Sequence, residues 1–78
     1  MNRQALKARI MEMGMTQQDV AEKLEIAPQT FYRKMRRGIF GTDEVIAMVR
    51  LLKIEDPMAI FFDELVTHKV TNGDGEIA

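Results

Sequence analysis

Residues 28–37, PQTFYRKMRR, gather side chains suited to chemistry with another molecule. Wound as a helix, at about 100° per residue, the stretch places Phe31 and Met35 together on one side. Gln29, Arg33, Arg36 and Arg37 fall on the opposite half, with Thr30 and Lys34 along one edge and Tyr32 along the other. Amides and guanidiniums on an exposed helix suit the edges of bases: Gln pairs bidentately with adenine and Arg with guanine. The remaining positive charge suits phosphates. An ordinary solvated helix face carries similar residues, so the meaning of this one depends on what holds it in place.

Helical start and stop signals divide the chain into five segments. Asn2 is an N-cap, and Leu6, Ile10 and Met13 recur at helical spacing, with Met11 on a flank, up to Gly14. This predicts a helix over 3–13. Thr16 caps the next, over 17–24, with Asp19 at the positive end of the dipole and Val20, Ala21 and Leu24 facing inward. Glu25-Ile26-Ala27 is the turn, with Ile26 as the plug between helices. Pro28 at the first helical position opens a third helix over 28–36, closed by Gly38. Thr42 is read as the cap of a fourth helix over 43–53, with Val45, Ile46, Val49 and Leu52 as its apolar stripe. Asp56 and Pro57 start a fifth over 57–65, where Ile60, Phe61 and Leu65 close the core. The expectation is an all-α domain of five short helices over residues 1–65, followed by a polar, acidic and flexible tail over 66–78. The methionines, seven in all, read as adaptable core filler.

Helices of about two turns are unstable alone, because nucleation is costly, so the second and third must brace each other. The segment TQQDVAEKLEI, with Thr16, Gln17, Ala21 and Leu24 in register, resembles the helix-turn-helix family of phage repressors and Cro-like regulators, of the xenobiotic-response-element type. LLKIEDPMAIFF resembles the closing helices of that family, and the likeness covers roughly residues 4–62. The resemblance implies a lambda-repressor-like fold whose third helix enters the major groove of an operator, N-terminus first. Gln29 and Arg33 then match base-contacting positions, Pro28 and Tyr32 neighbouring ones, and Gln17 one whose amide meets a phosphate. Thr30 joins the base-reading group, while Thr16, Lys34, Arg36 and Arg37 join the phosphate group. The departures are Glu25, where the family often has Gly, and Ala27-Pro28, where it often has a Ser or Thr cap and a polar side chain.

The net charge of −1 hides an asymmetry consistent with this reading. Residues 1–54 carry ten Lys and Arg against six acids, whereas 55–78 carry one Lys against six acids. A basic body with an acidic tail is compatible with a polyanionic partner. One such module covers few base pairs, so a homodimer on two half-sites is expected, with Phe62 and Leu65 at its contact. The alternative is a protein-binding adaptor, antitoxin-like or antirepressor module that uses the acidic residues of the tail.

Other chemistries find little support. There is no cysteine, and His68 stands alone, so no thiolate or His cluster is available for a metal. NGDGEI, residues 72–77, mimics part of a calcium loop, but register puts Val70 where the first acidic ligand belongs. Asp63 and Glu64 have no nucleophile or base beside them, and no cofactor or enzymatic activity is expected. Without a membrane-length apolar run or a leader pattern, the sequence reads as a soluble cytoplasmic protein.

Overall fold

The computed structural model describes residues 1–63, and Leu65 and the tail 66–78 lie outside them. Five helices follow one another: α1 (Arg3–Glu12), α2 (Gln17–Lys23), α3 (Pro28–Arg37), α4 (Thr42–Leu51) and α5 (Pro57–Phe61). No strand occurs among the described residues, and none of their helices is long and apolar enough to cross a membrane.

Three helices start as their residue types dictate. Asn2 accepts the Ala5 N–H, and Asp56 accepts that of Ala59. Thr16 and Asp19 form a reciprocal capping box, each side chain accepting the other's backbone N–H at 3.1 and 2.9 Å. The fourth start differs from the expectation. Thr42 is the first helical residue, and Gly41 precedes the helix. Glu44 reaches back to accept the Gly41 N–H at 2.8 Å, which satisfies that donor without a hydroxyl.

Four helices end alike. Gly14, Glu25, Gly38 and Lys53 all adopt left-handed φ values of 52–74°. The next residue in each case, Met15, Ile26, Ile39 or Ile54, donates its N–H five residues back, at 3.0–3.1 Å. This is the Schellman ending, in which the reversal satisfies carbonyls that the helix leaves unpaired. Gly14 and Gly38 enter it at no steric cost, but Glu25 and Lys53 carry a Cβ there. Lys53 is why α4 stops at Leu51 rather than at 53. Arg9 of α1 reinforces that end, its Nε donating to the Leu52 carbonyl at 2.7 Å and its Nη2 to that of Lys53 at 3.2 Å.

The core joins Leu6 and Ile10 of α1, Val20 and Ala21 of α2, Phe31 and Met35 of α3, Met48 and Leu52 at α4, Ile54, and Phe61 of α5. Met13, Leu24, Ile26, Val45, Val49 and Ile60 pack around it. In α4 the inner face is 45, 48, 49 and 52, the i, i+3, i+4, i+7 stripe. Ile46, expected inside, sits about 100° away from Val45 and is 45 % exposed, while Met48 is fully buried. Met35 and Met48 do serve as core filler, but Met11 and Met58 face solvent. α2 and α3 form the most extensive contact between helices. α5 ends at Phe61, with Phe61 buried and Phe62 exposed. The Asn2 N–H donates to the Ile60 carbonyl at 2.7 Å, which ties the start of α1 to α5.

Candidate nucleic-acid interface

α3 is positioned by its buried side. Phe31 is fully buried, with Phe40 tilted against it at 5.3 Å between ring centroids, and Met35 is 4 % exposed one turn later. Ala27 precedes the helix in extended conformation and supplies no side-chain cap, and Pro28 follows with no N–H to satisfy. With Phe31 and Met35 inward, Gln29, Tyr32, Arg33, Arg36 and Arg37 are exposed. Pro28 and Thr30 are half-buried at its N-terminal end. Tyr32 stands edge-on to Phe31, 6.5 Å between centroids, which orients its ring without burying it.

Lys34 is placed differently from the other cations of α3. Its ammonium donates to Glu44 Oε2 at 2.6 Å, across to α4, and is half-buried there. Burial alone would push the Glu44 carboxyl up. The Lys34 hydrogen bond, the Gly41 N–H and the Lys34 charge outweigh it and hold the group below its ordinary value. Lys34 therefore braces α3 against α4, and its charge is already balanced. No carboxylate among the described residues pairs with Arg33, Arg36 or Arg37.

On the other side of α3, a recess of about 360 Å³ opens between three helices. Arg3 and Lys7 of α1, Gln17 of α2, and Tyr32, Met35 and Arg36 of α3 line it. Gln17 and Tyr32 thus share a recess, while Gln29 and Arg33 lie on the exposed face of α3. Thr16 is exposed beside Gln17, and its oxygen is held by the Asp19 N–H. Arg3 and Lys7 had no part in the sequence reading. Their signal is a pair of cations four residues apart on α1, which share a helix face.

A second, apolar recess of about 410 Å³ lies away from α3's outer face, bordered by Ile39, Phe40, Val45, Ile46, Phe61 and Phe62 among others. Phe62, expected at a dimer contact, is 42 % exposed there; its expected companion Leu65 is outside the described residues. The described residues hold no cluster of three or more His, Asp or Glu able to bind a metal. Comparison with protein-family models, curated proteins and solved structures finds no match to this chain.

Proposed function

We propose that this chain is a sequence-specific double-stranded DNA-binding protein that regulates transcription, a helix-turn-helix repressor or Cro-like regulator of the small phage type. The observation that carries the reading is the outer face of α3, where Gln29, Tyr32, Arg33, Arg36 and Arg37 are exposed and no described carboxylate pairs with the arginines. Phe31 and Met35 lock the helix beneath them. In this reading α3 enters the major groove, and Gln29 and Arg33 read base edges near Thr30 and Pro28. Thr16, Gln17, Arg36 and Arg37 hold phosphates, while Lys34 supports α3 from within. A dimer covers two half-sites, with the apolar surface around Phe62, Ile39 and Ile46 as its contact; sedimentation showing a monomer on operator DNA would sink that part.

Selection of bound sequences from random duplex DNA is the direct test. The expected product is a palindrome with adenine near the Gln29 contact and guanine near the Arg33 contact. Gln29→Ala and Arg33→Ala should each cost about 1–3 kcal/mol at one base pair and relax the preference there. If both variants bind like the parent, the base-reading assignment is wrong. If the parent binds no duplex even at low salt, the protein-binding reading replaces this one.

A further inference from the structure

We propose that the recess between α1, α2 and α3 is a phosphodiester-binding cleft, in which Lys7, Arg3 and Arg36 hold a backbone phosphate of duplex DNA beside the groove that α3 enters. The proposal rests on the DNA-binding reading and extends the interface to α1, a helix to which that reading assigns no contact.

The cleft brings together cations that are distant in the chain: Arg3 and Lys7 from α1, and Arg36 from α3. No acidic residue lines it, and none of the three cations has a carboxylate partner among the described residues. The remaining lining is a carboxamide, a phenol and the nearly buried Met35. Like charges gathered beside an apolar floor repel one another, and an entering anion relieves that repulsion. The Arg3 Nη1 donates to the Arg36 carbonyl, which joins the α1 and α3 sides of the cleft.

Arg9, two residues beyond Lys7, shows what a structural cation looks like in this fold. It spends its donors on the Leu52 and Lys53 carbonyls and on Glu12. Lys7 has no internal acceptor among the described residues. The choice of duplex DNA over a free anion follows from continuity. Tyr32 and Arg36 belong both to the cleft and to the exposed face of α3, so a strand lying along that face runs into the cleft.

Lys7→Ala is the discriminating variant, because Arg3 also holds α3. Each neutralised phosphate contributes a slope of about −0.9 in log affinity against log salt, which at about 0.1 M salt is roughly eightfold in affinity. In fluorescence anisotropy with the full chain, Lys7→Ala should weaken binding by about that factor and reduce the slope by about 0.9. The loss should be equal on selected and scrambled duplexes, Lys7→Arg should restore it, and Arg50→Ala on α4 should not reproduce it. Unchanged thermal unfolding of Lys7→Ala excludes a folding defect. If the parent binds duplex and Lys7→Ala binds equally well with the same slope, the cleft proposal fails and the DNA-binding reading stands. If the parent binds no duplex, both fail. Thermal stabilisation by inorganic phosphate that is lost in Lys7→Ala, with duplex affinity unchanged, would make this a free-anion site and overturn the proposal.

Discussion

Replacing Lys34 by Met separates a structural cation from the cations of the same helix proposed to bind phosphate. In the parent, Glu44 has a side chain only 16 % exposed and accepts two hydrogen bonds, from Lys34 at 2.6 Å and from the Gly41 N–H at 2.8 Å. A hydrogen bond between charged groups contributes about 1.5–3 kcal/mol. Lys34 is about a third exposed, so solvent screening reduces this to roughly 1–2 kcal/mol. For a domain of this size each kcal/mol moves Tm by about 4–8 °C. Lys34→Met should therefore lower Tm by roughly 5–15 °C at neutral pH. The pH dependence has a definite sign. Glu44 titrates below its ordinary value of 4.5 in the folded chain. The stability it contributes is thus full above pH 4.5 and lost as pH falls through the lowered value. The gap between parent and Lys34→Met should be largest at neutral pH and shrink below pH 4.5, where a protonated Glu44 no longer needs the ammonium. Urea unfolding of both chains at pH 7 and pH 3, together with anisotropy on duplex DNA, reads both halves. A gap of the same size at both pH values would refute the electrostatic account. A normal Tm with a loss of salt slope in DNA binding would return Lys34 to the phosphates.

Three further substitutions probe backbone and capping. Glu25→Gly should stabilise by about 0.5–1 kcal/mol, because the left-handed residue loses its Cβ clash while the unfolded chain gains some entropy; urea midpoints measure it, and a loss would mean that the Glu25 side chain makes a contact of its own. Ala27→Ser should add about 1 kcal/mol by capping α3, since its N-cap makes no side-chain bond at present; an unchanged Tm would show that the exposed turn already satisfies those N–H groups with water. Arg9→Met should cost about 2 kcal/mol through two lost bonds to the α4 end, with no change in the salt slope of DNA binding; a reduced slope would place Arg9 at the interface.

What the sequence could reveal tracks how local each determinant is. The Thr16–Asp19 box, the Asn2 and Asp56 caps and the glycine endings at 14 and 38 depend on neighbouring residues, and each stands where residue type puts it. Glu25 and Lys53 make the same left-handed ending without glycine. Composition therefore carried the expected α4 two residues too far; the left-handed Lys53 ends it, and the Arg9 donors from α1 reinforce that end. The Ile46 misplacement is of another kind. Val45, Ile46, Val49 and Leu52 are all apolar, and a slightly rotated stripe that includes Met48 fits helical periodicity at least as well. Which stripe wins is settled by the common core that Met48 and Leu52 join, and that is tertiary information. At the candidate site the exposed face of α3 could be read from the sequence because Phe31 and Met35 fix its rotation. The partnership of Lys34 with Glu44 and the approach of Arg3 and Lys7 to Arg36 involve separate helices, so no single segment announces them.

The distribution of positive charge is more informative than its total. A near-neutral chain would not by itself suggest a polyanion as partner. Seven of the ten Lys and Arg side chains among the described residues fall into two groups, however, while Lys23, Arg50 and Lys53, also without a described acid, lie outside both. Arg9 and Lys34 face inward to carbonyls and a carboxylate, and each fastens α4 to another helix. Arg33, Arg36 and Arg37 on α3 and Arg3 and Lys7 on α1 have no described acid to neutralise them. Had stability governed all of these positions, Glu or Asp at a few exposed sites on α1 and α3 would have paired the charges at little cost. Instead, the inward cations hold the helices in register, and the outward ones have no described carboxylate partner. Such a division suits the proposed binding of a chain of phosphates, and in that reading the α1 cations extend the surface past α3.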